Sequence, residues 1–253
     1  MQTNRNSFKM NPWQDSNYPT LDYRDHKFYN VFADPSVEYK HSPIVFAGSC
    51  DIGGNRQSRY WHEIYSEKFS IKDAIKIGRP SQSFSGMNRV LYTYLSNVEE
   101  KPNKILMVVP MTSAEHVING VCYSVNYMKM AVDHLERLGI IPSNDFQLFK
   151  RLSASYYTSN TLEERLFNFG KEFSFLEMMC KCYSIDLQWT FNLTLSAEAH
   201  YNNKDLFAKS HPFAAKTYIG TKECKVYDTT YYSPSAPAHE ILAQLFIGNT
   251  HDL

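Results

Sequence analysis

The stretch Ile44-Val45-Phe46-Ala47-Gly48-Ser49-Cys50-Asp51 decides the fold, because a short apolar run ends there in a turn of small residues that carries a serine. Residues 44–47 are apolar and rich in β-formers, which predicts a strand buried on both faces. Gly48 then permits a tight bend. A serine at the carboxyl end of a parallel strand lies where open α/β sheets bind ligands. Ser49 is therefore a candidate nucleophile, although a loop serine that only caps a helix fits the same pattern.

The same order of strand, polar loop and helix recurs along the chain. Strands are predicted over 74–77 and 104–110, and each leads into a loop of turn residues and hydroxyls. Helical spacing of apolar residues predicts helices over 58–69, where His62 is expected to be exposed or partly packed, and over 87–95. Strands that alternate with helices predict the α/β class, here a three-layer α/β/α sandwich around a mostly parallel sheet.

The rest of the chain is predicted to be helical in its middle third and mixed towards its end. A capping box at Thr161–Glu164 opens the longest of these helices. The predicted elements are helices over 123–138, 145–157 and 161–183, a strand over 185–195, an extended run over 226–232 and a helix over 238–246.

The chain divides into an N-terminal arm and one domain. Residues 1–42 are polar, have no sustained period and contain scattered aromatic side chains, which predicts an extended arm that wraps the domain or reaches a neighbouring chain. A disordered tail fits the same residues. A chain of 253 residues with 43% apolar composition can bury a core without disulfides or a metal, and we assign that core to one domain over 43–253.

Charge and cysteine content argue against several classes of protein. The 26 basic and 26 acidic residues cancel, so there is no electrostatic case for binding nucleic acid or an anionic membrane. Residues 1–16 lack the apolar core of a signal peptide and no transmembrane run occurs, so a cytoplasmic or virion-associated location is expected. Five cysteines make no disulfide framework and no cluster has metal-ligand spacing, so neither a metal nor another cofactor is expected.

Four blocks of the chain resemble, in order, those of the SGNH or GDSL-like hydrolase superfamily, which are serine esterases and lipases with a flavodoxin-like three-layer fold. The blocks are 46–53 with Ser49 and Cys50, 77–83 with Gly78 and Ser81, 110–113 with Thr112, and 230–240 with Ser233 and His239. The resemblance covers roughly residues 43 to 247. It implies that Ser49 is the nucleophile and that the oxyanion is held by the N–H of Cys50, by Gly78 or Ser81, and by Thr112.

The chain departs from the family at the catalytic base. The family's aspartate and histidine positions fall on Thr230 and Ser233, and a serine hydroxyl is a weak nucleophile without an adjacent base. His239 matches a second, noncatalytic histidine of the family and is one candidate base, with Asp228 to orient it. His211, in a His-Pro dipeptide, is the other candidate.

Two functions follow from the resemblance and this departure. The first is a serine ester hydrolase acting on a small acyl or carbohydrate ester. The second is a catalytically degenerate module of the same fold, structural or glycan-binding, which the aromatic arm and the lost base favour; a bacteriophage virion component is such a role by analogy. A cysteine hydrolase using Cys50 is a third alternative. The expected partners are a small ester or glycan and a protein bound through the arm, with no nucleic acid and no membrane.

Overall fold

A parallel sheet of four strands forms the centre of the molecule in our computed structural model. The structure describes residues 37–49, 52, 59–78, 83–109, 115–118, 121–124, 151, 155, 161–191, 227–228, 233–234 and 236–249. Their strands are β1 (Ile44–Gly48), β2 (Ala74–Gly78), β3 (Lys104–Val109), β4 (Glu115–Ile118), β5 (Val121–Ser124), β6 (Asp186–Phe191), β7 (Tyr227–Asp228) and β8 (Ser233–Pro234). The central sheet has the order β2-β1-β3-β6, and every neighbouring pair in it is parallel.

This strand order begins as in the flavodoxin-like sheet, where the second strand lies outside the first and the later strands extend the opposite edge. Every residue of β1 and β2 is buried, as expected for parallel strands that are covered on both faces. The predicted α/β class and its parallel sheet are therefore confirmed. The predicted strands over 44–47, 74–77 and 104–110 agree with β1, β2 and β3 to within one residue at each end.

Among the residues that the structure describes, four helices cover the sheet, and the topology explains which face each one takes. They are α1 (Trp61–Lys68), α2 (Phe84–Asn97), α3 (Leu162–Cys182) and α4 (Ala236–Gly248). From β1 to β2 the chain moves towards one edge of the sheet, and from β2 to β3 it moves towards the opposite edge. Right-handed crossovers therefore place α1 and α2 on opposite faces of the sheet, and α3, which leads into β6, on the same face as α2.

The two faces have separate apolar clusters. We call the side of α2 and α3 the broad face and the side of α1 and α4 the narrow face. The broad face buries Val45, Ala47, Ile75, Ile77, Ile105, Met107, Val109, Leu187 and Trp189 of the sheet against Phe84, Leu91, Phe173 and Leu176, among others. The narrow face buries Ile44, Phe46, Ala74, Leu106 and Val108 of the sheet against Ile52, Trp61, Ile64, Tyr65, Leu242, Ala243 and Phe246.

Local capping explains where two broad-face helices begin. The hydroxyl of Ser83 accepts the N–H of Gly86 at 2.9 Å, so α2 begins three residues earlier than its apolar spacing predicts. The hydroxyl of Thr161 accepts the N–H of Glu164 at 3.1 Å, as the predicted capping box requires. The last helix, α4, starts two residues before the predicted position, at Ala236.

A hairpin of β4 and β5 corrects the sequence prediction for this part of the chain. Residues 111–116 are predicted as a loop and 123–138 as a helix, yet 115–118 pair antiparallel with 121–124. The register joins Ile118 to Val121, so only Asn119-Gly120 connects the strands. Asn-Gly between extended runs is the strongest short-range hairpin signal, and it outweighs the apolar spacing that suggested a helix.

Several predictions fall on residues outside the described set. These are the arm over 1–36, most of the predicted helices over 125–138 and 145–157, and residues 192–195 of the predicted strand. The end of the arm is described and is attached to the domain: the Tyr94 hydroxyl donates to Lys40 O at 3.1 Å, and Val37 packs on the broad-face cluster. In the residues that the structure describes, no helix has the length and apolarity needed to span a bilayer.

Candidate active site at the end of strand β1

Ser49 follows β1 directly and opens a turn at the carboxyl edge of the sheet. The N–H of Ile52 donates to the carbonyl of Ser49 at 3.1 Å, which closes the turn across four residues. Ser49 is only 6% exposed. Because β1 lies between β2 and β3, the turn stands where the direction of the strand order reverses, the position at which open α/β sheets bind ligands.

Two glycines bring β1 and β2 together beside this turn. Gly48 and Gly78 are paired at the carboxyl ends of the two strands. A Cβ atom on Gly78 would lie 2.2 Å from the carbonyl oxygen of Gly48, so no other residue fits there without moving the strands. Gly78 is one of the oxyanion residues that the resemblance implies. The close approach of the two strands explains why residue 78 is a glycine. Its contact with substrate stays a prediction.

His62 lies behind the turn, and the sequence-based expectation for it is wrong. The sequence predicts an exposed or partly packed His62, but this residue is 1% exposed. Its Nε2–H donates to the carbonyl of Ile52 at 3.0 Å. Its ring is stacked on Tyr60, with centroids 5.4 Å apart and planes 10° from parallel. The sequence carries no signal for this contact, because the spacing within α1 does not reveal which loop carbonyl the helix will face.

His239 lies in the first turn of α4 and contacts the beginning of α1. Its Nδ1 accepts the backbone N–H of Trp61 at 3.3 Å, and its ring meets Tyr60 edge-on at 5.1 Å. His239 is 1% exposed. The imidazole therefore caps one of the first N–H groups of α1, which have no partner within their own helix.

Burial keeps both imidazoles neutral. It lowers the pKa of His62 well below its ordinary value of 6.5, and the nearby Lys76 ammonium lowers that pKa further. Burial also lowers the pKa of His239 from 6.5 to about 4. Since a carbonyl only accepts and a backbone N–H only donates, the hydrogen bonds assign the proton to Nε2 in both rings.

These hydrogen bonds limit how His239 could act as the predicted base. With its proton on Nε2 and its Nδ1 bonded to Trp61, His239 can accept a proton from Ser49 only after the bond to Trp61 breaks. Its role as base stays a prediction. Asp228 and Ser233 are register partners in the backbone pairing of β7 with β8, which precedes α4. The predicted positions outside the described residues are Cys50, Ser81, Thr112, His211 and Thr230.

The acidic, histidine and cysteine side chains are the remaining candidates for a metal site. No group of three His, Cys, Asp or Glu side chains in these parts of the chain is arranged to hold a metal ion. Cys180 is buried on the broad face, where burial raises the pKa of its thiol to about 12, so it is protonated and unreactive at neutral pH.

Comparison with known proteins gives no match by sequence and several by structure. No protein-family model matches the chain, and no curated protein does. A carbohydrate esterase whose active site has divergent catalytic and non-catalytic binding functions is 13% identical with a TM-score of 0.46, over 86% of this chain and 68% of that one. A protein proposed to be an acylhydrolase, from Bacteroides fragilis, is 13% identical with a TM-score of 0.44, over 90% and 94%.

A third similar structure is an acetyl xylan esterase from the rumen bacterium Butyrivibrio proteoclasticus. It is 9% identical with a TM-score of 0.43, and the match covers 86% of this chain and 64% of that one. The chain's own architecture places it in the α/β class. It has a parallel sheet in the order β2-β1-β3-β6, helices on both faces and a serine turn after β1. This is the α/β/α architecture that the SGNH-like resemblance predicts.

Proposed function

We propose that the protein is a serine ester hydrolase of the SGNH type that acts on a small acyl or carbohydrate ester. The observation that carries the proposal is the position of Ser49, directly after a buried parallel strand and at the point where the strand order reverses. The zero net charge favours a neutral ester over a polyanionic substrate.

The reaction would follow the two steps of acyl transfer. The Oγ of Ser49 attacks the acyl carbon while a base takes its proton, the carbonyl oxygen becomes an oxyanion, and that base returns the proton to the departing alcohol. Water then cleaves the acyl-serine bond and restores the hydroxyl. The N–H of Cys50, together with Gly78, Ser81 and Thr112, is the proposed set from which the oxyanion donors come.

The base in this proposal is His211 or His239, with Asp228 to orient His239. His239 is already neutral at pH 7, because burial lowers its pKa to about 4, and neutrality is required of a base. Its use would break the bond from the Trp61 N–H. Because breaking that bond costs free energy, His211 is the first candidate base to test by substitution.

A fluorophosphonate probe tests the proposal, because it forms a stable adduct only with an activated serine. We expect one adduct on the native protein, at Ser49, detected as a single mass increase by intact mass spectrometry. The Ser49→Ala variant should form none. Ser96→Ala is the matched control, since Ser96 is exposed on α2 and its loss should leave labelling unchanged. A native protein that forms no adduct at Ser49 would contradict the proposal.

A second function, a non-catalytic structural or glycan-binding module, is favoured by the bond between Trp61 and His239. That bond occupies one of the two candidate bases, and the family's base position is Ser233. A protein partner would then bind through the arm over 1–42. Light scattering should give more chains per particle for the full chain than for a chain without residues 1–36. If both are monomers and the full chain shows esterase turnover, this alternative is excluded.

A further inference from the structure

We propose that His62 is a positioning residue that holds the Ser49 turn, and that His239 supports it from behind by holding the start of α1. The inference concerns the support of the serine site and rests on the proposed function for its catalytic consequence. Both histidines are buried, and the role of His62 does not require it to act as the base.

The first contact in this chain of support joins the turn to α1 through the backbone of Ile52. The N–H of Ile52 donates to the carbonyl of Ser49 at 3.1 Å, and the carbonyl of Ile52 accepts the Nε2–H of His62 at 3.0 Å. The Ile52 side chain is 2% exposed and packs in the narrow-face cluster. Ile52 is therefore fixed at its N–H, its carbonyl and its side chain, and the carbonyl contact depends on His62 alone among the described residues.

Aromatic rings fix the orientation of the His62 imidazole. Tyr60 stacks on it, while Phe46 of β1 lies 5.7 Å away and Trp61 meets it edge-on at 5.9 Å. The Nδ1 of His62 is buried and has no hydrogen-bond partner in the described part of the chain. The ring is thus held by packing and by one hydrogen bond, and that bond points at the serine turn.

The second contact joins α1 to α4. His239 accepts the N–H of Trp61, the residue immediately before His62, at 3.3 Å. Trp61 also stacks on Phe246 of α4, with ring centroids 4.7 Å apart. Tyr60 touches both imidazoles, one by stacking and one by its edge. The position of His62 is therefore set by α4 as well as by its own helix.

The donor at Nε2 can be tested by two substitutions of His62. In His62→Gln the amide nitrogen can take the place of Nε2–H, whereas His62→Leu keeps apolar volume but has no donor. We expect hydrogen exchange at the Ile52 amide to quicken on the order of tenfold in the Leu variant, the factor that loss of one hydrogen bond gives, and to stay within about threefold of native in the Gln variant. Fluorophosphonate labelling of Ser49 should slow in the same order.

His41→Leu is the matched control for these variants. The Nδ1–H of His41 also donates to a backbone carbonyl, that of Glu100 at 3.0 Å, but the contact is exposed and lies at the opposite end of β1. Its loss should change neither the Ile52 exchange rate nor the labelling of Ser49. His239→Leu should quicken exchange of the Trp61 amide more than that of Ile52.

A tautomer measurement on the native protein keeps the inference testable if the Leu variant does not fold. Long-range nitrogen–proton NMR spectra should place the ring proton on Nε2 of His62 and on Nε2 of His239. A proton on Nδ1 of His62 overturns the inference, and so does equal loss of Ile52 protection in the Gln and Leu variants. A native protein that forms no adduct but shows the expected exchange pattern contradicts the proposed hydrolase and leaves the positioning role intact.

Discussion

The two faces of the central sheet are built from different chemistry. The broad face buries an almost wholly apolar cluster, and its buried Asn88 donates to both the backbone and the side chain of Glu172, at 3.0 Å each. The narrow face is smaller and buries two histidines and Lys76 near its aromatic rings. The comparison indicates that the broad face supplies most of the stability of the domain, whereas the narrow face holds the Ser49 turn in place.

Unsatisfied polar atoms occur on both faces, since Asn88 Oδ1 of the broad face is also buried without a hydrogen-bond partner in the described part of the chain. The described residues of the narrow face include His62 Nδ1 and Trp61 Nε1, both buried without a hydrogen-bond partner in this part of the chain. A buried polar group left without a partner costs about 1 to 3 kcal/mol.

The largest effect should come from the broad face. Phe173 is fully buried and its ring lies 4.3 Å from that of Trp189 and 4.7 Å from that of Phe84. Phe173→Ala should lower the free energy of unfolding by about 3 to 5 kcal/mol, measured by urea denaturation, because it removes a large ring and leaves a cavity. Phe167→Ala, at a ring 66% exposed on the same helix, should change it by less than about 0.5 kcal/mol. Similar losses for both variants would contradict the assignment of the core.

The narrow face should make the protein acid-sensitive. The folded-state pKa of His239 is about 4 and its ordinary value is 6.5, so its contribution is complete above pH 6.5 and is lost as the pH falls towards 4. The loss is on the order of 3 kcal/mol, since each pKa unit corresponds to 1.36 kcal/mol. Between pH 7 and pH 4, the free energy of unfolding should fall less in His239→Gln than in the native protein, as measured by denaturation at each pH. Phe173→Ala should keep the native pH slope; if it flattens instead, the acid sensitivity belongs to the core in general.

A close approach of backbones should make one glycine irreplaceable. Gly78→Ala places a Cβ 2.2 Å from Gly48 O, which forces apart the ends of β1 and β2. We expect a loss of about 1 to 3 kcal/mol by denaturation, together with a change at the adjoining Ser49 turn. Gly248→Ala is the control, because a Cβ there meets nothing within 4 Å. If both variants are equally stable, the contact between the strands is looser than described.

The smallest effect concerns a helix cap of the broad face. Ser83→Ala removes the acceptor for the Gly86 N–H at the start of α2 and should cost about 1 kcal/mol. Ser96→Ala, at an exposed position near the other end of α2, should cost less than about 0.5 kcal/mol. Thermal unfolding followed by circular dichroism can rank the two. An equal shift in both would mean that the cap adds nothing to α2.

The sequence alone predicts the central strands, because these strands are buried on both faces. An uninterrupted apolar run of four or five residues, as over 44–47 in β1 and 105–109 in β3, is typical of a strand that is buried on both faces. The location of Ser49 followed from the end of such a run. The β4–β5 hairpin also has a local signal in the sequence, the Asn119-Gly120 pair between its two strands.

The support of the site could not be predicted in the same way. His62 occupies a helical position that periodicity describes well, but its partner is the carbonyl of Ile52 in a separate loop. The sequence marks His239 as a candidate base, yet its Nδ1 accepts a hydrogen bond from the Trp61 N–H. Both contacts depend on how helices dock, and residue spacing within one segment carries no information about docking.

The bond between Trp61 and His239 also bears on the order of folding. It joins residues 178 positions apart, and contacts between residues so distant in sequence form slowly, because a long loop must close before they are made. The start of α1 is therefore completed only when α4 has docked. During synthesis on the ribosome, the Ser49 turn would remain without its full support until α4 has left the exit tunnel, so the serine site is finished last although its residues are made early.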